Sequence, residues 1–258
     1  MKILTIGDIV GRPGRQIVHT LLGNLREQYS IDMVIANGEN AAGGFGLSVS
    51  TANELLKSNI DVLTSGNHIW AQKDILPCLD DADMPILRPL NYPPGAPGRG
   101  WLIAGKVMVV NIIGRTFMND NDCPFRAMDA LLAETSPKPP IIIVDFHAEA
   151  TSEKVAMGRY LDGRVSAVLG THTHVGTIDS QILPGGTAYV TDIGMTGPSD
   201  SIIGDDVENV IKRFLTQMPY HLSVGKGKPM LNAILVEVNE KSGLALSIER
   251  ITREIDEK

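Results

Sequence analysis

The chain has 258 residues, 43% hydrophobic and 21% charged, so it can bury a sizeable core and does not have a disordered composition. With 23 Lys and Arg against 30 Asp and Glu, the formal net charge is −7, which argues against sequence-independent binding to DNA. The 5% aromatic content argues against a base-stacking surface.

In chain order, short apolar runs rich in β-branched residues end in small or polar residues. They predict buried strands, often parallel ones. Residues 3–6 lead into Gly7-Asp8. An apolar stripe of Ile17, Val18, Leu21, Leu22 and Leu25 predicts the first helix. Residues 33–36 lead into Asn37-Gly38-Glu39-Asn40, followed by the glycine-rich stretch 41–48. Ala52, Leu55 and Leu56 form a second helical stripe, and Val62-Leu63 leads into Ser65-Gly66-Asn67-His68. The proline-rich residues 89–97 read as a surface loop, and 101–113 as a hairpin turning near Gly105-Lys106. Residues 141–144 lead into Asp145-Phe146-His147, and 165–169 into Gly170-Thr171-His172-Thr173-His174. Tyr189-Val190 leads into Asp192-Ile193-Gly194. Residues 194–206 read as a long loop at an active site or an interface. Val207, Val210, Ile211 and Phe214 form a third helical stripe, and 231–251 a hairpin turning at Lys241-Ser242-Gly243. Alternating strands and helices predict α/β, and the two hairpins make the sheet system mixed. With no linker and no repeat, one domain over 1–258 is expected.

Two cysteines, Cys78 and Cys123, cannot build a disulfide framework or a four-cysteine zinc site, and suit a reduced cytoplasmic chain. The N-terminus turns polar too early for a signal peptide, and no apolar run approaches the roughly 20 residues of a spanning helix. No membrane partner is expected.

Of six histidines, His68, His147, His172 and His174 fall just after predicted strands, as do Asp8, Glu39, Asn40 and Asn67. Ligands of open α/β sheets bind outside those strand ends. In an extended segment, residues i and i+2 share a face, so His172 and His174 would face one point and Thr173 away. Asp8 also reads as a helix cap, and Asn37-Gly38 as a hairpin turn, though a hairpin does not suit the long segment that follows. Carboxylate with imidazole suits Mn, Fe or Zn better than Mg or Ca. His68 reads as ligand, acid or packed core residue. The acid role is favoured, because the other ligands suffice.

Gly7-Asp8, Gly38-Glu39-Asn40, Gly66-Asn67-His68, His147 and Thr171-His172-Thr173-His174 resemble, in order, the signature of binuclear metallophosphoesterases (calcineurin-like phosphoesterases). The likeness is closer to a bacterial branch, the YmdB-like 2′,3′-cyclic-nucleotide phosphodiesterases. Gly7-Asp8-Ile9-Val10-Gly11-Arg12-Pro13-Gly14-Arg15, Asn37 to Gly44 and Thr64 to Trp70 carry it, with Asp145 to Lys154 and Asp192 to Pro198. The resemblance implies a four-layer α/β/β/α sandwich of two mixed sheets flanked by helices. It implies two transition-metal ions, Fe or Mn with Zn as a substitute. Asp8, Glu39, Asn40 and His174 would hold the first ion, and Glu39, Asn67, His147 and His172 the second, with Glu39 bridging. A metal-bridging hydroxide would attack phosphorus of a 2′,3′-cyclic nucleotide, and His68 would protonate the departing ribose oxygen. The wider superfamily opens with Asp-x-His, whereas Asp8-Ile9-Val10 lacks the histidine, and Asn40 is the nearest replacement ligand. Glu39 stands where a bridging Asp is common, and Ile69 where an acidic residue follows His68.

A broader phosphodiesterase or phosphomonoesterase would use the same site. A metal-binding, RNA-associated regulator is the reading in another class. Arg12, Arg15 and Lys226-Gly227-Lys228 leave contact with RNA phosphates open, though exposed basic residues are usually only solvated. An amide hydrolase ranks low, because its HxH belongs on the first strand. A homo-oligomer is compatible with the sequence.

Overall fold

A computed structural model of the chain describes residues 1–255. Its first third alternates strand and helix: β1 (Lys2–Ile6), α1 (Gly11–Tyr29), β2 (Met33–Asn37), α2 (Val49–Lys57), β3 (Val62–Thr64) and the short α3 (Leu76–Leu79). The middle runs β4 (Trp101–Ala104), β5 (Val107–Ile113), α4 (Pro124–Glu134), β6 (Ile141–His147), α5 (Thr151–Tyr160), β7 (Ala167–Thr171), β8 (Gln181–Ile182) and β9 (Ala188–Val190). It closes with β10 (Gly197–Asp205), α6 (Val207–Thr216), β11 (Val224–Val238) and β12 (Ala245–Glu254).

The strands form two six-stranded mixed sheets. In the first, ordered β10-β11-β1-β2-β3 with β12 also on β11, the strands β1, β2 and β3 are parallel and β11 is antiparallel to β1. In the second, ordered β4-β5-β6-β7-β9-β8, the four strands β5, β6, β7 and β9 are parallel, with antiparallel hairpin partners at both edges. Period-two alternation sorts each apolar run between two cores. Ile3, Ile35, Val109 and Ile143 pack between the sheets. Leu4 and Val34 face outward onto Ile17, Leu22 and Leu55 of α1 and α2. Met108, Val110 and Val144 face Met128, Leu132 and Met157 of α4 and α5. Both faces of each sheet are covered, which is why the strands read as continuous apolar runs. The result is the four-layer α/β/β/α sandwich. Both expected hairpins form, β4–β5 and β11–β12.

Two expectations need correction. Residues 197–205, inside the segment expected to be a loop, are strand β10, paired antiparallel with β11 through an irregular register. Its sequence Gly-Pro-Ser-Asp-Ser-Ile-Ile-Gly-Asp has no period-two alternation, so pairing with a distant strand alone makes it extended. The third helical stripe does form α6, but of its apolar residues only Val210 is buried, while Phe214 is 80% exposed. Among the described residues, no helix is long and apolar enough to cross a membrane.

Candidate metal centre

The loops after β1, β2 and β3 meet the ends of β6 and β7 where the two sheets abut. Asp8 is fully buried, and the N-cap of α1 is Val10 without a side-chain cap, so Asp8 is not a capping residue. Its Oδ2 accepts the backbone N–H of His172 at 3.2 Å, while its Oδ1 has no hydrogen-bond partner among the described residues. Burial pushes the Asp8 carboxyl above its usual range, against the pull of His174 and His147. Asn37-Gly38 is no hairpin turn, because β3 runs parallel to β2. Instead, Asn37 Oδ1 accepts the Glu39 N–H at 3.1 Å and turns the buried Glu39 carboxylate inward. Glu39 Oε2 accepts the His68 backbone N–H at 3.1 Å, and Oε1 lies 3.0 Å from His147 Nε2. A Cβ at Gly66 would collide with the His147 ring and the Glu39 carboxylate, so only glycine leaves this space open.

His147 is the last residue of β6 rather than a residue after it. Its Nδ1 donates to Thr171 Oγ1 at 3.0 Å, and that hydroxyl donates to Asp145 Oδ1 at 2.6 Å. His147 Nε2 therefore presents a lone pair, and Glu39 Oε1, Asn67 Oδ1 and His172 Nδ1 each stand 3.0 Å from it. The other two imidazoles are oriented in the same manner. His172 Nε2 donates to Glu149 Oε2 at 3.0 Å, leaving Nδ1 inward. His174 Nδ1 donates to the Ile203 carbonyl at 2.6 Å, leaving Nε2 3.7 Å from Asp8 Oδ1. Burial pushes His147 and His172 down to about 4, so both are neutral near pH 7. Burial also lifts Asp145, beneath them, to about 7.

The expected extended geometry of His172-Thr173-His174 is not what forms. Both histidines have left-handed backbone, φ 97° and 65°, a strained arrangement for residues other than glycine. A buried ion pair holds the turn. Lys154 Nζ donates to Asp192 Oδ2 at 2.6 Å and to the Thr171 carbonyl at 2.7 Å. The same Oδ2 accepts the N–H and hydroxyl of Thr173 at 3.2 and 2.8 Å. The imidazoles converge because the backbone between them is pinned, not because of strand periodicity.

Asn40 places its Oδ1 2.7 Å from His68 Nδ1 and its Nδ2 3.2 Å from His174 Nε2. The amide would turn over to offer oxygen to a cation. All eight residues singled out in the sequence thus surround one centre. His19 lies apart, 3.4 Å from Ser58 Oγ, and His221 lines the adjoining cleft. Asp145, Thr171, Glu149, Lys154 and Asp192 lie in segments that carry the family resemblance, but the sequence assigns them no role at the site. The one available signal was polarity inside an apolar strand: Asp145 lies two residues before His147, on the same strand face.

A cation fits this centre. Donor atoms of Glu39, His147 and His172 lie within 4.8 Å of one another. Lone pairs converging on one point, beside a buried carboxylate oxygen without a donor, are reconciled by positive charge. Two nitrogen and two oxygen donors without thiolate match a transition metal. Above the centre lies a cleft of about 560 Å³, walled by Phe45, Ile203 and Leu222 and including Glu149 and Asp205. Among the described residues lining it, none is Lys or Arg. His68 stands on its wall, partly exposed, its pKa lowered by burial against the pull of Glu39.

The model of the YmdB-like protein family matches residues 4–251. The chain belongs to the YmdB-like family. It is 48% identical, over 97% of its length and 96% of the relative's, to the 2′,3′-cyclic-nucleotide 2′-phosphodiesterase of Bacillus subtilis. Among solved structures, a hypothetical protein from Thermus thermophilus superposes with a TM-score of 0.92 at 45% identity, covering 98% of this chain and 99% of that one. A phosphatase from Mycoplasma pneumoniae also superposes with a TM-score of 0.92, at 33% identity over 98% and 93% of the two chains.

Proposed function

We propose that the chain, as one domain over residues 1–258, is a metal-dependent phosphodiesterase that hydrolyses 2′,3′-cyclic nucleotides to nucleoside 3′-phosphates. The observation that carries this reading is the convergence of three oriented imidazoles on Glu39 and the partnerless Asp8 Oδ1 at the floor of a cleft. The activity named for the Bacillus subtilis relative supports the substrate class.

Glu39 would be shared by two ions, with Asp8, Asn40 and His174 on the first and Asn67, His147 and His172 on the second. Iron or manganese suits these donors, and zinc can replace them. When bound, the ions supply Lewis acidity to the phosphoryl oxygens and lower the pKa of water. Thr171, Glu149 and the Ile203 carbonyl keep each imidazole in the tautomer that faces the centre. A water oxygen bonds to phosphorus as the P–O2′ bond breaks, the water releasing one proton to solvent; O2′ takes its proton from His68, which regains one from solvent. His68 Nδ1 lies against the Asn40 amide, so Nε2 is the nitrogen that would give the proton. Its lowered pKa makes the imidazolium a stronger acid.

The Mycoplasma pneumoniae likeness favours a second reading, phosphomonoester hydrolysis. The cleft argues against it: with Glu149 and Asp205 in the lining and no Lys or Arg, it disfavours a dianion relative to a singly charged diester. The deciding experiment is His68→Ala on metal-loaded protein. Turnover of 2′,3′-cyclic nucleotides should fall by roughly 10²–10⁴-fold with metal content unchanged. The deficit should shrink for nitrophenyl phosphodiesters, whose leaving group needs no proton. An equal deficit for both substrates would remove His68 as the acid.

A further inference from the structure

Phe45 stands apart from the packing of the molecule. Its ring is 56% exposed at the rim of the cleft. It sits in Gly43-Gly44-Phe45-Gly46, whose three glycines all have left-handed backbone, φ 69°, 94° and 90°. Residues with a Cβ rarely adopt that conformation. The turn is nonetheless held. Ala42 N–H donates to the Gly46 carbonyl at 2.9 Å, and the Gln72 side chain donates to the Phe45 carbonyl at 2.8 Å. Ser48 then starts α2 with a capping box on Thr51, which fixes where the turn ends. A constrained loop therefore holds a large apolar ring in solvent, against the hydrophobic effect, beside the candidate centre.

The ring lies 4.3 Å from that of His68, tilted by 47°. His68 packs against the ring at that tilt, and more than half of Phe45 remains open to solvent. Around it the cleft divides by chemistry. The floor holds Glu39, Asn40, His172 and His174, and the walls hold Phe45, Ile203 and Leu222. With cations held at its floor as proposed, such a cleft would take a ligand with an anionic end for the floor and a flat apolar end for the wall. Its volume, about 560 Å³, falls within the range for small-molecule sites.

The chemistry of the substrate ties the two ends together. In a 2′,3′-cyclic nucleotide, O2′ is bonded to the ribose carbon next to C1′, and C1′ carries the base. The group that protonates O2′ must therefore stand close to the base. His68 is that group in the proposed reaction, and the aromatic ring in contact with His68 is Phe45. We propose that Phe45 is the platform on which the nucleobase stacks, making it the binding determinant for nucleosides over base-free phosphodiesters. This assignment rests on the cyclic-nucleotide reading of the site. It needs one ring, not an aromatic surface, and so is compatible with the low aromatic content.

The test compares wild-type protein, Phe45→Ala and Phe45→Trp on two substrates with the same scissile bond, 2′,3′-cyclic AMP and ribose 2′,3′-cyclic phosphate without a base. Phe45→Ala is expected to raise KM for the nucleotide about tenfold relative to KM for the base-free compound, a modest value for base–aromatic stacking. The effect should lie in KM rather than kcat, and Phe45→Trp should restore nucleotide preference. An equal fall in kcat for both substrates would make Phe45 a prop for His68 and overturn the proposal. So would a Phe45→Ala protein with the wild-type ratio of KM values, or a wild-type protein that treats both compounds alike. Wild-type protein that is metal-loaded but turns over neither compound would overturn the cyclic-nucleotide reading, and the base platform with it.

Discussion

Around His147 Nε2, a carboxylate oxygen, an amide oxygen and an imidazole nitrogen each stand 3.0 Å away, whereas Asp8 Oδ1 has its His174 partner at 3.7 Å and no hydrogen bond. The close half joins β3, β6 and β7, and its imidazoles are backed by Thr171, Asp145 and Glu149. The open half has Val10 where the wider superfamily carries a histidine, and its amide oxygen is engaged by His68. The contrast teaches that the two halves are unequal by construction. One is organised in the fold itself. In the proposed two-ion reading the other lacks a donor and would be completed by movement of Asn40.

The strongest way to break this comparison is at the carboxylate common to both halves. Glu39→Gln should keep the fold, with a circular-dichroism spectrum like that of the parent, and should lose hydrolysis by several kcal/mol of barrier, on the scale of Lewis-acid effects. Near-normal turnover by the folded variant would separate Glu39 from both ions.

The next test addresses what organises the close half. Asp192→Asn leaves Lys154 buried without its counter-charge, and both are almost wholly inaccessible. Loss of one partner of a buried pair should cost about 3–5 kcal/mol in denaturant unfolding. A midpoint within error of the parent's would mean that the His172–His174 turn holds without its clamp.

The smallest expected effect sharpens the inequality itself. His174→Ala should lower bound metal from about two equivalents to about one, while His147→Ala should lose the better-held ion. Metal analysis of protein purified without chelator checks both. Equal losses of both ions in His174→Ala would show the two halves to be interdependent rather than unequal.

The eight residues of the centre were legible in the sequence because each follows or ends a buried apolar strand, where a polar residue is conspicuous. The layered fold was legible for the same reason, with family resemblance supplying the number of layers. The groups that orient the centre were not. Lys154 and Asp192 are 38 residues apart and meet only in the folded chain, so no periodicity announces them. The turn at His172 and His174 violates the strand geometry that suggested it, because a tertiary clamp outweighs local preference. β10 is extended only by pairing with β11, and the apolar stripe of α6 predicts its helix but not its exposure.

The centre also lies on a seam. Its oxygen donors come from residues 8–67 on the first sheet, and its imidazoles from residues 147–174, mostly on the second. An ion held there would be a bolt between two layers that already meet through apolar packing and hydrogen bonds such as Thr64 to Asp145 and Asn111 to Ser65. The centre cannot assemble until the chain has been made past residue 174. With metal bound as proposed, ligand linkage would tie the docking of the two sheets to metal supply, and the energy that prepares the centre for chemistry would also hold the sandwich shut.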